Sequence, residues 1–143
     1  TFIKPNQSSR ESAVRIKLNV LKEAVAGRRI IMIDDSIVRG TTSALIVNML
    51  RDAGAREVHV RISAPPFLHP CYFGTDIPSE DQLIAHGHTV EEIRDMIGAD
   101  SLSYLKMERL QEMACSRSIC TACFSGKYPI EPPVEDIRGS YDK

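Results

Sequence analysis

The chain has 143 residues, 43% of them hydrophobic and 26% charged, with a formal net charge of −1. That is enough chain to bury the core of one ordinary domain, and the near-neutral balance lacks the basic footprint of a nucleic-acid binder. No run approaches the ~18 apolar residues of a membrane span, the start lacks the plan of a secretory signal, and the 4 cysteines, 3 of them between positions 115 and 123, do not suit a secreted disulfide framework. A cytosolic chain with free or metal-bound thiols is expected.

Residues 1–27 begin extended around Pro5. Ser8 followed by Glu11 is a capping-box pattern, and Val14, Leu18, Leu21 and Val25 recur at helical spacing up to a stop at Gly27. This predicts an amphipathic helix with Arg10, Arg15, Lys17 and Lys22 on a basic face. Arg28 to Asp34 is predicted as a buried strand. A helix follows from Ser43 to Ala53, with Leu45, Ile46, Met49, Leu50 and Ala53 on its apolar face and Gly54 as its cap. Glu57 to Ser63 is a second strand, in which Val58, Val60 and Ile62 alternate with His59 and Arg61. Strand, helix and strand this close make a βαβ unit, which requires parallel pairing. Ligands of such sheets collect beyond the carboxyl ends of the strands, where Asp34 and Asp35 fall. A proline-rich connection over 64–74 comes next, then helical patterns at 80–85 and 90–97, a short strand at 102–105 and a helix at 107–113. The tail from Glu131 is polar and expected to be disordered. No internal repeat or linker divides the chain.

The chemistry concentrates in Ile30-Ile31-Met32-Ile33-Asp34-Asp35-Ser36-Ile37-Val38-Arg39-Gly40-Thr41-Thr42. Adjacent acids after an apolar strand also occur in Walker B motifs, but that reading needs GxxxxGK[ST], which the chain lacks. Here the acids precede a glycine- and hydroxyl-bearing loop that opens a helix. An anion can sit on loop amides and on the positive end of a helix dipole. Two carboxylates can hold vicinal hydroxyls or a hydrated Mg²⁺. The arrangement suits a phosphorylated sugar, with Gly40 allowing close approach and Thr41, Thr42 and Ser43 donating hydroxyls. The blander alternative is an ordinary turn with a threonine N-cap.

Cys120-x-x-Cys123 has metal-ligand spacing, for which zinc, a redox disulfide, an iron–sulfur cluster and coincidence all compete. Cys71 stands alone in the proline-rich connection. His86, His88 and His59 are read as structural or surface residues.

The run IIMIDDSIVRGTT resembles the phosphoribosyl pyrophosphate (PRPP) signature of type I phosphoribosyltransferases. DDSIVRGTTS is similar, nearly letter for letter, to the version in the glutamine PRPP amidotransferase (amidophosphoribosyltransferase) family. Thr1-Phe2-Ile3, Pro5, Gln7, Arg10, Val14-Arg15 and Lys17-Leu18 resemble that family's flexible lid. GTDIPS, LIAHGHTVEEIRDMIGADSL and FSGKYP extend the likeness over roughly residues 1 to 130. The resemblance implies an α/β, parallel-sheet, Rossmann-like phosphoribosyltransferase fold, incomplete on its N-terminal side. Residues 1–114 would be the C-terminal part of that domain (lid 1–18, PRPP motif 30–42), 115–130 a cysteine-bearing extension and 131–143 a tail.

The resemblance also implies roles. Asp34 and Asp35 hold the ribose hydroxyls, directly or through Mg²⁺. Ser36, Ile37, Val38, Arg39, Gly40, Thr41 and Thr42 cradle the 5′-phosphate, and Lys17 reaches the substrate from the lid. In the iron–sulfur branch of the family a [4Fe–4S] cluster takes one ligand after a His-Pro pair, as Cys71 is placed here. Two more come from C-x-A-C-F, as Cys120 and Cys123 are placed; the fourth lies upstream of the motif and outside this chain, and Cys115 does not fit. The implied activity is transfer of glutamine-derived ammonia to PRPP, giving 5-phosphoribosylamine and pyrophosphate in the first step of purine synthesis. It needs a glutaminase domain, and the implied assembly is a cytoplasmic homo-oligomer without nucleic-acid or membrane partners. The chain alone is expected to be inactive. A non-catalytic PRPP-binding regulator of the same fold is the alternative, but it would bring a DNA-binding module and a basic surface, and neither is present.

Overall fold

Alternation at Val58, Val60 and Ile62 makes one strand the spine of a three-stranded parallel sheet: strands buried on one side put every second residue into the core. In the computed structural model, which describes residues 19–73, 79–115 and 118–132, the strands are β1 (Arg29–Asp34), β2 (Glu57–Ile62) and β3 (Ser101–Tyr104), in the order β1-β2-β3. Ile30 aligns with Val58, Met32 with Val60 and Asp34 with Ile62; Ile62 aligns in turn with Tyr104. Val58 and Val60 are fully buried. The helices are α1 (Lys22–Val25), α2 (Thr41–Asp52), α3 (Val90–Ile97), α4 (Met107–Met113) and α5 (Ala122–Ser125), with a single 3-10 turn at Glu80–Gln82. Val47 and Leu50 of α2 and Ile93 and Ile97 of α3 join the apolar row of β2 in one core cluster. Each such buried side chain contributes about 1.5–3 kcal/mol.

The parallel α/β architecture is as expected, and α3 and α4 fall on their predicted segments. A capping box fixes the start of α3: the Thr89 hydroxyl accepts from the Glu92 N–H (3.2 Å), and the Glu92 carboxylate accepts from the Thr89 N–H (2.7 Å).

Four expectations need correction. β1 is not a buried strand: Ile31 and Ile33 are 66% and 75% exposed. Among the described residues β1 pairs only with β2, and no described helix covers the outer face of the strand. Second, no long helix reaches Gly27 through Leu21. Leu21 is extended and exposed, and α1 is a single turn that buries only Val25; the part of the predicted helix before residue 19 lies outside the described residues. Third, α2 starts at Thr41 rather than Ser43, because Gly40 rather than a threonine occupies its N-cap. Fourth, the pattern at 80–85 yields only the 3-10 turn, after which Leu83, Ile84 and Ala85 are buried as an irregular strap. The predicted lid 1–18 with Lys17, and residues 133–143 of the tail, lie outside the described residues.

Candidate functional site

β1 ends in the two acids, and its last carbonyl is tied down. The Asp34 carbonyl accepts from both the Ser63 N–H (2.9 Å) and the Ser63 hydroxyl (3.1 Å), which locks the strand end to the segment leaving β2. The Asp34 carboxylate accepts from the Asp35 N–H at 2.9 Å, and the Asp35 carboxylate accepts from the Ser36 hydroxyl at 2.8 Å. Asp34 is half-buried and Asp35 exposed. Burial pushes the Asp34 carboxyl above its ordinary value; the Asp35 N–H pulls it back and the neighbouring Asp35 charge raises it further. No lysine or arginine among the described residues enters that balance. Burial and the neighbouring Asp35 charge thus both disfavour ionising Asp34.

The loop beyond the acids is pinned from below. Ile37 is 2% exposed and belongs to the core. Gly40 has φ 79°, a left-handed conformation that costs glycine little and other residues more. It makes no side-chain cap, and among the described residues the N–H groups of Gly40, Thr41 and Thr42 are donated to no acceptor. Those are the first amides of α2, where unpaired donors and the helix dipole both favour an anion. Thr41 and Thr42 are half-exposed. The strap after the 3-10 turn closes the loop from the other side. The Ile84 N–H donates to the Val38 carbonyl (2.8 Å), and Arg39 Nε donates to Gln82 Oε1 (3.0 Å).

A second cluster forms where the proline-rich connection meets α5. The Leu68 and His69 N–H groups both donate to the Cys123 carbonyl (2.9 and 3.0 Å). Phe67 stacks on Phe124 with centroids 4.8 Å apart, and the Tyr128 hydroxyl donates to the Pro70 carbonyl at 2.8 Å. These contacts bring Cys71 to the neighbourhood of Cys120 and Cys123, from which it lies far away along the chain. Burial, and then the neighbouring Cys71 and Cys120 thiols, push the Cys123 thiol up to about 11. Cys115 plays no part in that shift; its thiol makes a long contact to the Met113 carbonyl. No three His, Cys, Asp or Glu side chains among the described residues stand close enough to hold a metal ion. Three cysteines are nonetheless a donor set of the right chemistry for an iron–sulfur cluster, which takes such residues as thiolates and offsets their charge with its iron. His69 faces Glu80 at 3.2 Å. His86 and His88 contact backbone carbonyls, and His59 contacts Ser101 and Glu57.

Two features escape the sequence reading. Gln82 and Ile84 contact the loop from more than 40 residues away, which no local pattern signals. The Tyr104 hydroxyl at the end of β3 is buried without a partner among the described residues.

The chain was compared with known proteins. No protein-family model matches it. It is 54% identical over 142 residues to the amidophosphoribosyltransferase of Archaeoglobus fulgidus, covering 96% of this chain and 31% of that protein. It is 57% identical over 141 residues to that of Synechococcus elongatus and 53% over 139 residues to that of Bacillus subtilis, covering 28% and 29% of them. A solved glutamine PRPP amidotransferase from B. subtilis, complexed with ADP and GMP, superimposes with a TM-score of 0.76 at 50% identity. It covers 93% of this chain and 30% of that one. The parallel α/β fold is thus shared with these enzymes, and the chain spans less than a third of the length of the relatives it matches.

Proposed function

We propose that this chain is the C-terminal part of the phosphoribosyltransferase domain of an amidophosphoribosyltransferase of the iron–sulfur-containing branch. The reaction moves glutamine-derived ammonia onto C1 of PRPP: a C–N bond forms, the C–O bond to pyrophosphate breaks, and 5-phosphoribosylamine results as the first step of purine synthesis. The observation that carries this reading is the adjacent carboxylates of Asp34 and Asp35 one short loop away from the amides that open α2, which find no acceptor among the described residues.

Each group has a task set by its charge. Asp34 and Asp35 accept hydrogen bonds from the ribose hydroxyls. As pyrophosphate departs, C1 becomes electron-poor, and the adjacent negative pair stabilises the positive charge that develops there. Neither carboxylate moves a proton. The amides of Gly40, Thr41 and Thr42, with the threonine hydroxyls and the loop from Ser36 to Arg39, hold the 5′-phosphate. Fixing both ends of the sugar orients C1 for attack. Lys17, on the lid of residues 1–18, adds positive charge at the pyrophosphate when the lid excludes water. Asp34 and Asp35 would hold Mg²⁺, which would supply positive charge to the leaving group. Cys71, Cys120 and Cys123 would hold a [4Fe–4S] cluster as three of its four thiolate ligands. The fourth ligand and the glutaminase come from parts of the enzyme outside this chain, which works as a homo-oligomer in the cytoplasm.

Calorimetric titration of PRPP with Mg²⁺ into the full-length protein tests the reading. Hydrogen bonds to charged groups contribute about 1.5–3 kcal/mol each, so Asp34→Asn/Asp35→Asn is expected to weaken binding at least about 100-fold. Unchanged affinity in that variant would sink the assignment.

A further inference from the structure

We propose that Ile84 is a positioning residue for PRPP: its side chain and amide hold the phosphate loop in the one shape that leaves the first amides of α2 available to the phosphate. The inference rests on the site assignment above and adds a residue that never touches the sugar. Loop residues 36–40 have few anchors of their own. Ile37 is sunk in the core, and the Val38 carbonyl is held by the Ile84 N–H at 2.8 Å. The tightest point is Gly40. A Cβ built there would lie 2.5 Å from Ile84 Cδ1, with Ile97 Cγ2 at 3.7 Å behind it. Ile84 is only 8% exposed and packs in the cluster that contains Ile37, Val47 and Ile97, so its side chain has little room to swing aside.

Ile84 and Ile97 therefore limit where the left-handed turn at Gly40 can sit. Gln82, which accepts from Arg39 two residues earlier on the strap, braces the same loop from its edge. Binding that depends on two or three converging amides is sensitive to small displacements of this kind. A misplacement of about 1 Å can cost about 100-fold.

The test is a double-mutant cycle in the full-length protein, reading KM for PRPP, kcat and thermal unfolding together. Ile84→Val removes only Cδ1 and is expected to fold with at most a few-fold rise in KM. Gly40→Ala in the parent is expected to raise KM for PRPP about 100-fold through the displaced amides. In the Ile84→Val background the same Gly40→Ala change is expected to cost about tenfold less, since the colliding methyl is gone and only the left-handed strain remains. Ile84→Ala, which loosens the support, should raise KM for PRPP more than it lowers kcat, with KM for glutamine unmoved.

Additive Gly40 and Ile84 effects, or Ile84 variants that lower the unfolding temperature with KM for PRPP intact, overturn the positioning role. Asp34→Asn/Asp35→Asn in the same series separates the two readings. Normal PRPP binding in that variant overturns the site assignment and this inference with it, whereas its loss alongside an additive cycle overturns this inference alone.

Discussion

Two aspartates at opposite ends of the same sheet behave in opposite ways. Asp100, where the chain enters β3, accepts from the Val58 N–H (2.6 Å) and from Arg51 (2.6 Å), and those bonds hold its carboxyl below the ordinary range. Asp34, where the chain leaves β1, is pushed the other way by burial and by Asp35. At one end hydrogen bonds favour the carboxylate, and at the other burial and a like charge disfavour it. The cysteine corner leans the same way as Asp34, since burial first and then the neighbouring Cys71 and Cys120 thiols raise Cys123. Groups whose charged form is disfavoured in this way cluster at functional sites.

The largest test of that contrast is the PRPP titration of Asp34→Asn/Asp35→Asn, expected to lose at least about 100-fold. Next is iron content: Cys123→Ser in the full-length protein should abolish the brown iron–sulfur absorbance, and Cys115→Ser should leave it as in the parent. Equal loss from both would dissolve the assignment of Cys71, Cys120 and Cys123 as a set.

The packed side of the sheet offers a calibration. Ile93→Ala, deep in the core, is expected to cost about 2–4 kcal/mol in denaturant unfolding. pH then distinguishes the two ends. Asp100, with its lowered value, contributes stability that is complete above the ordinary carboxylate range and is lost as pH falls through the folded value. Asp34, with its raised value, takes up protons more readily in the native state, so ionising it costs stability as pH rises. Asp100→Asn should therefore cost about 1 kcal/mol at neutral pH and flatten the acid limb of the unfolding profile. Asp34→Asn should raise the neutral-pH unfolding temperature while losing substrate. A drop in that temperature would remove the contrast. The smallest effect is at Tyr104, in the same register row as Asp34, where burial pushes the phenol up to about 12 and its hydroxyl finds no partner among the described residues. Tyr104→Phe is expected to be neutral or to stabilise by up to about 1 kcal/mol.

Much of this was legible in the residues alone. The run from Ile30 to Thr42 declared a strand, two acids and an anion-ready helix start because each depends on neighbours in sequence. The burial of β1 was misjudged for the complementary reason. Ile31 and Ile33 read as core by their chemistry, yet a side chain is buried only if something covers it, and no described helix covers that face. Leu21 was misjudged in the same way: it read as part of an apolar helix face, but it is extended and exposed. The association of Cys71 with Cys120 and Cys123 followed from resemblance, since backbone bonds between Cys123 and the segment at Leu68 leave no periodic trace. Ile84 beneath Gly40 was invisible, because a hydrophobic residue in a short apolar run says nothing about which distant turn it supports.

Gly40 carries a last consequence, for inheritance rather than for structure. Every coded amino acid except glycine brings a Cβ, so no missense change in this codon can leave both the backbone and the isoleucine beside it undisturbed. A smaller side chain at residue 84 would relieve only the contact, and the left-handed turn would go on favouring glycine at the position.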